Sequence, residues 1–263
     1  MNYHNEEWIM RGLQYHHEQI LKLKPDIKIF ILTLRGSQNY GIDTESSDID
    51  THCIYIPHDL SKEVNTTAYE VQLPNGEQTH FIDIRFFTQA LWQRSLFYVE
   101  MLYAKWFIIP NQRYEKLWRK YQGLANDLVD SNRLAMAESL LFYFHAKQET
   151  LFSNFLPERA EECIKKGYDR KSLYHLIRIK LLMQLVVDGI PFESCMDEEL
   201  NQQTCFAKSG AMSLESVQWL LLTLSADVHK MYEQINNTVS IDQEYAAFLF
   251  NFIKYLENEV LKQ

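Results

Sequence analysis

The chain has 263 residues, 46% of them hydrophobic, which is enough to bury a full core and excludes a small disulfide- or metal-stapled module. Its formal charge of -9 and pI near 5.5 exclude a protein whose whole surface grips nucleic acid, because phosphate binding needs clustered Lys and Arg. The four cysteines, Cys53, Cys163, Cys195 and Cys205, follow no zinc-site spacing and are expected to be reduced thiols of a cytoplasmic protein. The opening MNYHNEEW has no basic and apolar signal pattern, and no apolar run reaches membrane-span length, so neither secretion nor a membrane partner is expected.

In chain order, Trp8, Ile9, Leu13, Ile20 and Leu21 recur at helical intervals up to Pro25 and predict an N-terminal helix over 5–25. The apolar run IKIFILTL (27–34), bounded by Pro25 and Gly36, predicts a buried strand. DIDTHCIYIP (48–57) alternates and ends at a proline, which predicts a second strand. TAYEVQL (67–73) and QTHFIDIRFF (78–87) flank Asn75-Gly76 and read as a hairpin. From Arg85 onward helical periodicity dominates, over 85–103, 111–128, 131–151, 158–166, 171–188, 213–235 and 242–261, with WFII (106–109) an added strand. The fold class expected is therefore α+β: a small mixed sheet with flanking helices in residues 1–125, followed by a mostly helical part in residues 126–263.

The chemistry is concentrated between the first two strands. A Gly36-Ser37 pair at the end of a buried strand lets backbone approach a phosphate. Asp48 and Asp50, two apart on a strand, project from one face with Ile49 on the other, and two carboxylates so close call for a cation between them. Mg²⁺, or Mn²⁺ in its place, suits such hard oxygen ligands shared with water and substrate phosphates. Either element alone is commonplace: a D-x-D is more often a turn or a solvated strand end. The order strand, Gly-Ser, short loop, D-x-D strand is what makes the pair specific.

The segments GSQNYG and SSDID, with Ser47 directly before the aspartate pair, resemble the DNA polymerase β nucleotidyltransferase superfamily. They are closest in form to a bacterial and phage group, some members of which lie beside RNA-repair genes. The resemblance implies a nucleotidyltransferase that moves an NMP from an NTP, ATP among them, to a hydroxyl, with an RNA end as one acceptor and a protein or small molecule as the alternative. It also implies that Asp48 and Asp50 bind divalent metal, that Gly36, Ser37, Tyr40 and Ser47 contact the nucleotide, and that a neighbouring strand supplies a third carboxylate. Asp83, ahead of Glu70 and Glu77, is the expected third acid, because the hairpin brings its strand beside the D-x-D strand. Lys171, His175 and Arg178 resemble a later helix of the family; at i, i+4 and i+7 they share one face and are expected to meet phosphate, the alternative for His175 being a packing residue. Tyr40 stands in the loop, where stacking on a base and capping the first turn are both open. His4, His16 and His17 lack partner ligands in the sequence and are expected at the surface. A catalytically silent nucleotide-binding protein is the remaining reading.

Overall fold

The computed structural model describes residues 3–61, 68–153, 157–238 and 241–262, and the chain is α+β as expected. It divides into two compact units, Met1–Leu128 with Asp242–Gln263, and Val129–Ile241. The first break falls between Leu128 and Val129. The last helix, however, belongs to the first unit, so a single cut near residue 125 does not describe the chain.

The first unit is built on a mixed five-stranded sheet. Helix α1 (Glu6–Leu23) leads into β1 (Lys28–Arg35), and a 3₁₀ turn (Ser37–Tyr40) precedes β2 (Asp50–Ile56). The hairpin β3 (Tyr69–Gln72) and β4 (Gln78–Asp83) turns at Gly76; Thr67, the expected start of its first strand, lies outside the described residues. Helices α2 (Ile84–Trp92) and α3 (Leu96–Met101) follow, then β5 (Phe107–Ile108), α4 (Gln112–Gly123) and α5 (Ala125–Asp130), inside which the unit boundary falls. The strand order is β3-β4-β2-β1-β5; β2 and β4 are parallel and the other pairs antiparallel.

The single helix expected over 85–103 is broken at Arg94, whose φ of 52° lies in the left-handed region. Its guanidinium is buried, donates from Nε to Leu128 O at 2.9 Å and lies over the Trp92 ring, which holds the kink in place.

Each sheet face is covered. On one, Ile9, Leu13 and Ile20 of α1 pack on Ile29, Leu32, Leu34, Cys53 and Phe81. A bulge between Ile29 and Ile31 sends Phe30 to the other face, where its ring meets Tyr114, Trp118 and Tyr121 of α4. Helix α12 (Gln243–Leu261) closes this unit by packing on α2 and α4.

Gly12 shows how tightly α1 sits over the start of β2. A Cβ there would fall 2.7 Å from Cγ1 of Ile49, a branched side chain that is itself buried. Gly12→Ala gains about 1 kcal/mol of helix propensity, but overpacking of this kind costs about 1–3 kcal/mol. The expected result is a net loss of stability in urea unfolding together with weaker metal-dependent nucleotide binding, since Ile49 moves with its two flanking aspartates.

The second unit is helical. Helices α6 (Arg133–Leu151) and α8 (Arg170–Asp188) pack along each other and on α11 (Leu214–Thr238), with the shorter α7 (Ala160–Lys166), α9 (Glu198–Gln202) and α10 (Cys205–Ser209) between. Among the described residues no helix is long and apolar enough to cross a membrane.

Candidate active site

The site lies where β1 ends and β2 begins. Arg35, the last residue of β1, pairs directly with Asp50, the first of β2, so Gly36 and Ser37 leave the sheet abreast of the aspartates. Gly36 has φ 115° and ψ -163°, a conformation essentially reserved for glycine, which turns the chain sharply into the 3₁₀ turn.

That turn is pinned by its own side chains. Gln38 and Asn39 are buried; Gln38 Nε2 donates to Asp48 O at 2.7 Å, and Asn39 Nδ2 donates to Leu34 O at 2.8 Å. Ser37 Oγ donates to Ser47 Oγ at 3.3 Å, and Ser47 Oγ also accepts from Thr44 N at 2.9 Å. Tyr40 is anchored by its hydroxyl, which donates to Glu100 Oε2 at 3.2 Å. Gly36, Ser37, Ser47, Asp48 and Asp50 are thus brought together, and the loop between them is held to both strands.

The parity of the strands decides which other groups face the aspartates. Thr51 and Thr79 bond to each other at 2.9 Å on the α1 side, while the rings of His52 and His80 lie 5.6 Å apart on the opposite side. Asp50 shares the face of His52, and Gln78 shares the face of His80. The register Thr51↔Thr79 therefore sets Gln78 beside Asp50, and Gln78 N donates to Asp50 Oδ1 at 3.2 Å. Asp83, in contrast, pairs with Tyr55, five residues and about 16 Å further along at about 3.3 Å per residue. It also has the parity of the α1 side.

Asp83 is buried and serves as the N-cap of α2, its Oδ1 accepting from Arg85 N at 2.8 Å, with Arg85 Nη2 2.7 Å from Oδ2. The hairpin does bring β4 beside β2, but because the two run parallel it is the start of β4, not its end, that meets the D-x-D. Asp83 is consequently not grouped with Asp48 and Asp50. Among the described residues no set of three His, Cys, Asp or Glu side chains is placed to hold a metal ion.

Asp48 is exposed and Asp50 half-buried. Asp48, in the loop just ahead of β2, and Asp50, the first residue of β2, are the two carboxylates that could hold one hard divalent ion completing its shell with water and phosphate oxygens. The rest of this face carries Arg35, Glu70 and the histidines His52 and His80. The Arg35 guanidinium reaches across to His80 and Glu70, donating to Glu70 Oε1 at 3.3 Å, while His80 Nε2 also contacts Glu70. Burial, then the charges of Arg35 and His80, hold His52 well below the ordinary imidazole range. Burial and Arg35 lower His80 as well, against a smaller opposing effect of Glu70.

Behind the D-x-D lies a buried brace. His16 is fully buried rather than at the surface: Nδ1 lies 2.9 Å from Thr51 Oγ1 and Nε2 lies 2.9 Å from Glu77 Oε2. Since a carboxylate can only accept, Nε2 donates to Glu77, while Nδ1 meets the threonine hydroxyl. The other oxygen of Glu77 accepts from the backbone N of Ile49, between the two aspartates, at 2.9 Å. Position 16 continues the stripe Ile9, Leu13, Ile20, a spacing that marks it as inward-facing. His4 is likewise bonded, its Nδ1 3.0 Å from Asp43 Oδ2.

Lys171, His175 and Arg178 lie on α8 in the second unit. Lys171 is exposed, but Arg178 is 4% exposed and committed: Nε donates to Asn201 Oδ1 at 2.8 Å and Nη2 to Cys195 O at 3.2 Å. Burial, then the surrounding Lys147, Lys171, Arg178 and Lys208, holds His175 well below its ordinary range. The shared face at i, i+4 and i+7 is at Arg178 a packing face, and the expected phosphate clamp of three is not formed there.

No protein-family model matches the chain, and no curated protein matches it. Among solved structures it is similar to a nucleotidyltransferase-like protein from Exiguobacterium sibiricum 255-15, with 15% identity, 88% of this chain and 76% of that chain covered, and a TM-score of 0.32.

Proposed function

We propose that the protein is a metal-dependent nucleotidyltransferase that transfers an NMP from an NTP to a hydroxyl, with pyrophosphate leaving. The observation that carries this reading is the junction of β1 and β2, which sets Gly36 and Ser37 against Asp48 and Asp50 on a pinned loop. In this reading the Gly36–Ser37 backbone and the Ser37 hydroxyl hold the β and γ phosphates. Asp48 and Asp50 would hold a Mg²⁺ or Mn²⁺ ion, which when bound would supply charge neutralisation at the phosphates. Arg35, on the same face, is placed to turn from Glu70 to phosphate oxygen. Such transfer depends mostly on positioning and charge, which this inventory provides.

For the acceptor we propose an RNA end, on the strength of the resemblance of GSQNYG and SSDID; a protein or small molecule is the alternative. A second reading, nucleotide binding without transfer, is favoured by one observation, the amide of Gln78 beside Asp50. Incubation with each α-labelled NTP, Mg²⁺ or Mn²⁺ and pooled small RNA separates these readings. Label on RNA, with RNA affinity that falls steeply as salt rises, supports the proposal. Label on protein selects the alternative acceptor, and metal-dependent NTP binding without any transfer selects the silent reading.

A further inference from the structure

We propose that this site takes a single divalent cation with its nucleotide, on Asp48 and Asp50 alone, and that Gln78 occupies the place from which a third carboxylate would recruit a second. The inference rests on the nucleotide-binding reading above and deepens it. It follows from the sheet register.

The strand beside β2 is β4, and the residue of β4 that lies next to Asp50 on the same face is Gln78. An amide carbonyl can ligate a cation but brings no charge. A second dication would therefore have to be held by the same two carboxylates that already serve the first, and Mg²⁺ gives up its water reluctantly to neutral ligands.

The acids of the β3–β4 hairpin, Glu70, Glu77 and Asp83, are turned to other work. Glu77 has the parity of the α1 side and is bonded to His16 and to Ile49 N. Glu70 shares the face of Asp50 but stands two strands away, bonded to Arg35 and His80. Asp83 is at the far end, paired with Arg85. On this face the positive charge that a second ion would deliver is already supplied by the Arg35 guanidinium, directly across from Asp50. A guanidinium there repels a second dication and can itself meet a phosphate oxygen.

The test is Mn²⁺ binding to the full chain in the presence of a saturating, non-hydrolysable α,β-methylene NTP analogue. Bound Mn²⁺ is counted by equilibrium dialysis, and its electron paramagnetic resonance spectrum is recorded. The expected result is one ion per bound nucleotide with the spectrum of an isolated Mn²⁺. In Gln78→Asp, checked for an unchanged melt, the count rises to two and the spectrum shows the spin coupling of ions about 3.5–4 Å apart. Two ions in the unmodified chain, or a coupled spectrum from it, overturn the inference while leaving nucleotide binding intact. Loss of both ion and nucleotide binding in the unmodified chain overturns the underlying reading instead. The count on the unmodified chain decides the matter even if the Gln78→Asp chain does not fold.

Discussion

Asp50→Asn is expected to lower nucleotidyl transfer by about 10²–10³-fold, the usual cost of removing one group that acts on developing charge, and to leave the melting temperature essentially unchanged. The asymmetry follows from the two jobs of this side chain. The bond that Asp50 Oδ1 accepts from Gln78 N can be accepted equally by an asparagine oxygen. The charge of Asp50 has no such substitute, because an amide at position 50 leaves Asp48 to balance the cation without it. Metal-dependent NTP binding by calorimetry should weaken in parallel with turnover. A variant that transfers at an undiminished rate would remove Asp50 from the site.

The second large effect is expected behind the sheet. His16→Ala removes a fully buried ring that contacts Thr51, Thr79 and Glu77. It leaves a cavity under the sheet and a carboxylate short of one partner, together worth about 3 kcal/mol of stability in denaturant unfolding. Thr51 and Thr79 keep their bond to each other, so the loss falls chiefly on Glu77 and, through it, on the peptide of Ile49.

Glu77 carries a pH signature of its own. Burial pushes its pKa up, but hydrogen bonds from His16, Ile49 N and Asn75 outweigh this, and the net shift is below the ordinary 4.5. A carboxylate with a depressed folded pKa adds stability that is fully present above its unfolded value and is lost as pH falls through the folded one. Glu77→Gln should therefore lower stability at neutral pH and make the decline below about pH 4.5 shallower. Parallel acid limbs in the two proteins would show that Glu77 does not brace the strand.

How much of this could be read from sequence depends on whether the interaction is local. The apolar run of β1, the alternation of β2 and the Asn75-Gly76 turn are local signals, and the strands stand near where their patterns put them, although β2 starts at Asp50 rather than Asp48 and residues 84–87 turn into α2 instead of extending β4. So is the Gly36-Ser37 to D-x-D spacing, because a short loop joins two neighbouring strands. Which end of β4 meets Asp50 is not local. A hairpin fixes β4 against β3, but only the parallel pairing across the sheet brings Gln78 rather than Asp83 to the site. The same limit explains Arg178: helical spacing shows which residues share a face, while Asn201 and the carbonyl of Cys195 make that face an interior one. The return of α12 to the first unit depends on packing against α2 and α4, which no run of residues announces. His16 was legible, since it continues the inward stripe of α1, but a histidine in such a stripe has meaning only once Glu77 is seen beneath it.

The most direct test of the central claim is anomalous diffraction from crystals grown with Mn²⁺ and an α,β-methylene NTP analogue. The account predicts one anomalous peak between Asp48 and Asp50, with the β and γ phosphates on the backbone of Gly36 and Ser37. Nucleotide and metal bound elsewhere, with the Asp48–Asp50 face left to solvent, would contradict it.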